Sequence, residues 1–200
     1  MNRRRIAALV AAPLIALVAL TGCSEGNGIA DEWNEGSGKN YVAGDGSSLS
    51  IPPAERSKPV VYEGKTEHGE DFSSADTLGS VTVVNFWYAG CPPCRAEAPD
   101  LKKAYDEFTP KGVKFVGVNT RDEQAQAQQF AEEFKLEYPS VMDTAGGRAV
   151  QKAFAGQVPL NAVPTTLVLD KEGRVAHRVL GMLAGESQLR TLINETLDEK

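Results

Sequence analysis

The chain has 200 residues, a length that suits one domain with accessory segments rather than two full domains. Hydrophobic residues make up 42% of it and charged residues 24%, the balance of an ordinary soluble protein. The formal net charge is −6. An acidic surface repels phosphate backbones, and no stripe of Lys and Arg interleaved with aromatic residues occurs, so no nucleic-acid partner is expected.

The N-terminus has the pattern of an export signal. Arg3–Arg5 precede an apolar run of fifteen residues, Ile6–Leu20. The run is shorter than the about 20 residues of a membrane-spanning helix, but it suits the apolar region of a signal peptide. It ends in Leu20-Thr21-Gly22-Cys23, which resembles a bacterial lipobox. The resemblance implies a lipoprotein signal peptide over residues 1–22, a lipidated Cys23 and a lipid anchor on the extracytoplasmic face of the cell membrane. An ordinary cleaved signal or a short signal anchor, with Cys23 incidental, is the alternative.

Residues 23–58 are interpreted as the lipidated cysteine followed by a flexible tether. From residue 24 onward the segment is rich in Gly, Ser, Asn and acidic residues, with few apolar residues and no periodicity. The folded domain is therefore predicted over residues 59–200.

The domain alternates between predicted strands and helices. A small N-terminal hairpin is predicted from Val60–Tyr62 and the segment around Phe72, which flank the turn Glu67-His68-Gly69. A buried strand over Val81–Trp87 and a helix over Pro92–Phe108 are predicted to follow. The later elements are predicted as a strand over 113–119, a helix from a capping box at 120–123 to Phe134, a short strand over 138–142, a short helix over 147–154, a hairpin of strands over 165–170 and 175–180, and a closing helix over 186–197.

This order of elements, with Cys-x-x-Cys after the first buried strand, predicts an α/β protein with a thioredoxin-like fold. A βαβ unit, an inserted helix–strand segment, a ββ hairpin and a last helix give a central mixed sheet of about five strands flanked by helices.

The cysteines predict the chemistry. With Cys23 assigned to lipid, Cys91 and Cys94 remain as a pair. A bridge across two intervening residues closes so small a loop that it adds little stability, so a redox role is the better explanation. Cys91 stands just before Pro92, a residue suited to open a helix, and a helix N-terminus favours a thiolate. Cys91 is therefore predicted to be the exposed nucleophile, and Cys94 the more buried cysteine that resolves a mixed disulfide.

Two segments carry a resemblance to a known family. The segment over residues 83–99, which contains Trp87-Tyr88-Ala89-Gly90-Cys91-Pro92-Pro93-Cys94, is similar to the active-site segment of extracytoplasmic thioredoxin-like disulfide reductases of the TlpA/ResA group. Val163-Pro164-Thr165-Thr166 resembles the second landmark of that group, a cis-proline that faces the cysteines. The resemblance covers about residues 58–200 and implies a redox-active disulfide with no other cofactor. Gly90 departs from it, since many relatives have Trp there, and this leaves substrate preference open.

A substrate-binding surface is predicted from five residues around the pair: Trp87, Pro92, Pro93, Val163 and Pro164. If Pro164 is cis, the backbone of Val163 is expected to face an incoming substrate strand. Pro92 and Pro93 also remove two backbone donors that could stabilise the Cys91 thiolate, which predicts a more reducing pair than in strongly oxidising relatives. In the resembled group the insertion, here residues 120–156, shapes the substrate groove; the alternative is that it only widens the sheet edge.

Glu97 is the candidate proton carrier. It lies about 50° from the centre of the apolar stripe of its helix, at the margin of the buried face near Cys94. Partial desolvation would raise its pKa, and the resemblance implies a part in proton handling. Asn85 in the preceding strand stands where cytoplasmic-type thioredoxins have an Asp, and an amide cannot titrate. The alternative is that Glu97 is a solvated helix acid.

Other functions stay open at this stage. A thiol oxidase or isomerase of secreted proteins would use the same pair at a different reduction potential. A metal or copper chaperone would need more ligands than His68 and His177 can add, so no metal site is predicted. A peroxidase is disfavoured because no separate Thr-x-x-Cys motif occurs. The resemblance implies protein disulfides as substrates, apocytochrome c among them, and a membrane thiol–disulfide carrier as electron donor.

Overall fold

The computed structural model describes residues 47–159 and 161–199. The predicted signal peptide over residues 1–22, Cys23 and the first part of the predicted tether, 24–46, lie outside the described residues. Within the described ranges, no helix has both the length and the apolar character needed to cross a membrane.

A six-stranded mixed sheet forms the centre of the domain, and a separate two-stranded hairpin precedes its main part. The hairpin pairs β2 (Glu63–Lys65) with β3 (Asp71–Ser73) around the predicted turn, but its first strand starts three residues later than the predicted Val60–Tyr62. The strands of the large sheet are β1 (Ser47–Ser50), β4 (Thr82–Trp87), β5 (Lys114–Asn119), β6 (Ser140–Met142), β7 (Thr165–Leu169) and β8 (Val175–Leu180). Their order across the sheet is β1-β8-β7-β4-β5-β6, with β4, β5 and β6 parallel and the other neighbours antiparallel.

Four α-helices accompany these strands in the described residues: α1 (Pro92–Phe108), α2 (Gln124–Phe134), α3 (Ala149–Ala153) and α4 (Glu186–Leu197). Helix α1 begins at Pro92, and the chain leaves the following turn through Gly112, whose φ of 87° suits glycine. The predicted capping box of α2 is displaced by three residues. Thr120 donates to the carbonyl of Trp87 instead, and the Glu123 N–H donates to the side chain of Gln126.

Strand β4 lies between two apolar layers, and all six of its residues are buried. Val84 and Phe86 face one layer with Phe154 and Leu167, while Val83 faces the other with residues of α1 and α4. Burying each such side chain stabilises the fold by about 1.5–3 kcal/mol before the loss of chain entropy is counted. The position of β4 in the middle of the sheet therefore fixes the point from which the chain enters α1.

The predicted thioredoxin-like α/β fold is confirmed, and the sheet has one strand more than predicted. The extra strand is β1, which pairs antiparallel with β8 from Ser47 opposite Leu180 to Ser50 opposite His177. All of its side chains are exposed, so no apolar alternation marks it in the sequence. The imidazole Nδ1 of His177 lies 2.9 Å from the Ser50 hydroxyl.

An ion-pair cluster fixes the segment that follows β1. The Arg56 guanidinium lies 3.0 Å from the Asp170 carboxylate and also binds Glu199, and its side chain is only 2% exposed. The prediction of a flexible tether up to residue 58 is therefore wrong for residues 47–58. Backbone pairing and one buried guanidinium order this segment, and composition reveals neither.

Candidate redox site

Cys91 and Cys94 are joined by a disulfide at the point where β4 passes into α1. Cys91 is the N-cap residue of α1, and its Sγ accepts a hydrogen bond of 3.2 Å from the Cys94 N–H. Pro92 and Pro93 occupy the first two helical positions and have no N–H to offer. Only the second of these positions lies within reach of an N-cap side chain, so the prolines remove one donor from the Cys91 sulfur and not the two that were predicted. The sulfur of Cys91 thus lies at the positive end of the helix dipole, with one backbone donor directed at it.

Both cysteines are enclosed in the oxidised state. Cys91 is 1% exposed and Cys94 2% exposed, so the prediction that Cys91 is the exposed member of the pair is wrong for this state. An apolar cluster surrounds them, made of Trp87, Ala98, Ala127, Phe130 and Met142, with Val163 and Tyr88 at its margin. Phe130 and Met142 come from the inserted helix and strand, so the insertion contributes directly to the site and does more than widen the sheet.

The predicted substrate-binding residues differ in accessibility. Pro92 is exposed and Pro93 half-buried, so both can meet a partner. Trp87 is only 3% exposed; its ring packs against that of Phe130, tilted by 31° with centroids 4.2 Å apart, and its indole N–H donates to the Ser140 hydroxyl. The prediction that Trp87 binds substrate is therefore wrong for this state, because its ring is buried in the apolar cluster that encloses the disulfide.

The segment before β7 approaches the cysteines from a second side. The Val163–Pro164 peptide bond is cis. Val163 is half-buried and packs against the cluster that encloses the cysteines, whereas Pro164 is buried. The predicted cis bond is present, and the structure brings Val163 to the cluster around the disulfide.

Glu97 is buried more deeply than the helical spacing predicts. It is 2% exposed, one helical turn after Cys94 on α1. Its Oε1 accepts from the Asn85 side-chain amide at 2.9 Å, and its Oε2 accepts from the Leu183 N–H at 3.0 Å. The same Asn85 amide nitrogen donates to the Thr166 hydroxyl at 3.1 Å, which links Glu97 to the strand after the cis-proline.

Burial dominates the ionisation of Glu97. Desolvation raises the pKa of Glu97 from 4.5 to about 7, although the hydrogen bonds from Leu183 and Asn85 favour the charged form and act in the opposite direction. The nearby Asp100 adds a smaller push upward. A carboxyl group with this pKa can both hold and release a proton near neutral pH, which a solvated helix acid cannot do.

Asp122 is a site residue that the sequence analysis did not single out. Its buried carboxylate accepts from the Ala89 N–H at 2.6 Å and from the Asn119 side-chain amide at 2.7 Å. It therefore fixes the loop that leads from β4 to Cys91. Its position three residues after Asn119, just past the end of a buried parallel strand, is the signal that could have indicated it.

His68 and His177 lie away from the cysteine pair and do not complete a metal site with it. In the described part of the chain, no group of three or more His, Cys, Asp or Glu side chains is arranged to hold a metal ion. His68 lies beside Glu67 at the hairpin turn, and His177 is covered by Ser50.

Comparison with known proteins finds relatives that share this kind of redox site. A sequence model of the AhpC/TSA family matches residues 58–178. Sporulation thiol-disulfide oxidoreductase A of Bacillus subtilis (strain 168) is 32% identical over 132 residues, which span 64% of this chain and 75% of that protein. Thiol-disulfide oxidoreductase ResA of Halalkalibacterium halodurans is 30% identical over 107 residues, 54% of this chain and 57% of that protein. Among solved structures, a secreted thiol-disulfide isomerase from Corynebacterium glutamicum has a TM-score of 0.66 at 28% identity, over 80% of this chain and 97% of that one.

The fold, the Cys91–Cys94 pair and these relatives define a thiol-disulfide oxidoreductase of thioredoxin-like type. The chain belongs to the AhpC/TSA family. The predicted resemblance to the ResA-type reductases is confirmed by the relatives it matches.

Proposed function

We propose that the protein is a membrane-anchored, extracytoplasmic disulfide reductase in which Cys91 attacks, Cys94 resolves and Glu97 carries the proton. The observation that carries the proposal is the buried Glu97 carboxyl, one turn after Cys94, with a pKa raised to about 7. A pair that only stabilised the fold would have no use for a titrating group enclosed beside it.

The exchange proceeds in two steps. The Cys91 thiolate attacks a sulfur of the substrate disulfide, forming a mixed disulfide and releasing the first substrate thiolate, which takes up a proton. The Cys94 thiol then gives its proton to the Glu97 carboxylate and attacks the Cys91 sulfur, which releases the second substrate thiolate and closes the Cys91–Cys94 disulfide. The substrate lies between Pro92 on one side and Val163 on the other, where its backbone can align with the chain before Pro164.

The helix cap supports the proposed reducing direction of electron flow. The N-cap sulfur normally accepts from the N–H groups of the second and third helical residues, and here Pro93 removes the first of these. The Cys91 thiolate therefore has only the Cys94 N–H, and its enclosure in an apolar cluster disfavours the charge further. A less stabilised thiolate makes the reduced pair a better electron donor.

The N-terminal sequence supplies the proposed location. A lipidated Cys23 holds the protein on the extracytoplasmic face of the membrane, and two acyl chains make that attachment stable. Apocytochrome c is the proposed substrate, and a membrane thiol–disulfide carrier is the proposed electron donor. The similarity to a secreted thiol-disulfide isomerase supports a site outside the cytoplasm.

Single-cysteine variants test the assigned roles. With a disulfide-containing peptide such as oxidised apocytochrome c, Cys94→Ser is expected to accumulate a mixed disulfide through Cys91, because the resolving thiol is missing. Cys91→Ser is expected to accumulate none. Trapping through Cys94 instead would overturn the assignment, and absence of the protein from the membrane fraction of its natural host would overturn the anchor.

A further inference from the structure

Two loops beside the disulfide are joined in register, and this places Arg121 against Tyr88. The residue before Arg121 donates its backbone N–H to the carbonyl of the residue before Tyr88, at 3.0 Å. The carboxylate of Asp122, which follows Arg121, accepts from the N–H of Ala89, which follows Tyr88, at 2.6 Å. Because the neighbours on both sides are bonded, Arg121 and Tyr88 are held next to each other by the backbone of the two loops.

The Arg121 side chain lies over the Tyr88 ring. Its guanidinium carbon is 4.2 Å from the centre of the ring, a distance at which the cation and the ring attract each other. Arg121 is exposed, whereas Tyr88 is half-buried. A guanidinium held over a ring in this way still has N–H groups at its edge, and their fork matches the two oxygens of a carboxylate.

No carboxylate of the described residues neutralises Arg121. It forms neither an ion pair nor a side-chain hydrogen bond within that part of the chain, although the exposed Glu123 lies two residues later. Arg95, one helical turn after Cys91, differs in this respect, because its guanidinium is bound to Glu133. Arg121 is therefore a cation that is ordered by an aromatic ring and available to a partner.

The ring that holds Arg121 lies beside the attacking cysteine. The Cys91 N–H donates to the Tyr88 carbonyl at 3.1 Å. A Cβ atom placed on the exposed Gly90 would lie 3.7 Å from a carbon of the Tyr88 ring, so this ring forms the surface where Gly90 has no side chain. We call the Tyr88 ring, Gly90 and the Arg121 guanidinium the arginine platform. Tyr88 and Val163 both pack against the apolar cluster around the cysteines, so a substrate aligned with Val163 has the platform at the same site.

We infer that Arg121 is a specificity-determining residue that binds a carboxylate of the substrate, so that the protein prefers disulfides with acidic residues beside the cysteines. The inference rests on the proposed function, because it takes Cys91 as the attacking thiol of a reductase. The chain as a whole has a formal net charge of −6 and repels acidic peptides. A preference for them therefore needs a local cation at the site of attack, and the platform supplies one.

Two disulfide-bridged peptides with neutral ends test the inference. They are identical except that the residues on both sides of each cysteine are Glu in one and Gln in the other. The Cys91 thiolate of the reduced protein attacks one peptide sulfur and forms a mixed disulfide. Cys94 then displaces the peptide, which leaves with two thiols while the Cys91–Cys94 disulfide forms. The readout is the second-order rate constant for the Glu peptide divided by that for the Gln peptide, at low ionic strength.

Arg121→Gln is expected to lower this ratio about three- to fivefold, at the upper end of the range for exposed ion pairs. The effect of Glu on the peptide thiols themselves is the same for every protein variant, so it cancels in the comparison. Lys114→Gln is the matched control, because it removes one positive charge from an exposed residue at the opposite end of β5. It should keep the parent ratio. The parent ratio itself should fall towards that of Arg121→Gln between about 20 mM and 500 mM salt, where exposed charges become screened.

The ring is tested in the same assay. Tyr88→Leu removes the surface that orders the guanidinium and should lower the ratio about twofold, whereas Tyr88→Phe, which keeps the ring, should retain it. A parent ratio in Tyr88→Leu would overturn the positioning role of Tyr88.

Three results would overturn the inference and leave the proposed reductase intact. They are an equal loss of both rate constants in Arg121→Gln, the same fall in the ratio for Lys114→Gln, and a parent ratio that does not change with salt. The salt series uses the unaltered protein, so it decides even if a variant fails to fold. Failure of the reduced parent protein to reduce either peptide would instead overturn the proposed reductase.

Discussion

Glu97→Gln tests the physical basis of the site. Burial raises the pKa of Glu97 from 4.5 to about 7, so between these values the folded protein keeps a proton that the unfolded chain releases. The stability that this group contributes is fully present below about pH 4.5 and is lost as the pH rises through about 7. A shift of this size corresponds to about 3 kcal/mol. Glu97→Gln cannot ionise, so its stability relative to the parent protein should improve by about that amount between pH 4 and pH 8.

Urea unfolding of the oxidised protein at several pH values measures this difference. The substituted side chain presents an amide to two donors, Asn85 and Leu183, that bind carboxylate oxygens in the parent protein, so an offset of about 1–2 kcal/mol is expected at every pH. The offset does not depend on pH, and the slope isolates the ionisation. Glu132→Gln, on the exposed face of α2, is the control and should keep the parent slope. Parallel stability curves for Glu97→Gln and the parent protein would refute the raised pKa.

Three further substitutions test the helix cap at Cys91, the ion pairs of Arg56 and the loop that Asp122 holds. Pro93→Ala restores the second backbone donor to the Cys91 sulfur and should raise the reduction potential by about 30 mV, whereas Pro92→Ala, whose N–H does not reach an N-cap side chain, should leave it nearly unchanged. Equal shifts in the two variants would contradict the capping explanation. Arg56→Met removes one cation from the buried Asp170, which keeps its ion pair with Arg174, and from the partly exposed Glu199, so it should destabilise the protein by about 1–2 kcal/mol in urea unfolding; no measurable loss would show that the ion pair is dispensable. Asp122→Ala leaves the buried Asn119 amide and the partly buried Ala89 N–H without their acceptor and should lower stability by about 1–2 kcal/mol while slowing peptide disulfide reduction; an unchanged rate would remove its positioning role.

The main elements follow from local sequence patterns. The apolar run before Trp87, Pro92 at a helix start, Gly112 after a helix end and the amphipathic period of 186–197 each act over a few residues, and the structure has the corresponding strand and helices there. Strand β1 could not be found in this way, because its exposed side chains carry no pattern and its partner, β8, lies about 130 residues later in the chain.

The site shows the same division between local and distant causes. Helical spacing places Glu97 near Cys94, but only the Leu183 N–H, from the loop after β8, explains why the carboxylate is fully enclosed. Likewise, the cap position of Cys91 is local, whereas its burial depends on Phe130 and Val163, which are distant in sequence. Tertiary contacts of this kind change the exposure of Cys91 and the pKa of Glu97, although the local sequence motif does not reveal them.

The equilibrium reduction potential of the Cys91–Cys94 pair tests the central claim most directly. Titration against a glutathione or dithiothreitol buffer, followed by quantifying free thiols, gives the value for the intact protein. A pair with a single backbone donor to its attacking sulfur is expected well below about −200 mV, in the range of thioredoxin-like reductants. A value near about −120 mV, that of a strong oxidant, would contradict the account.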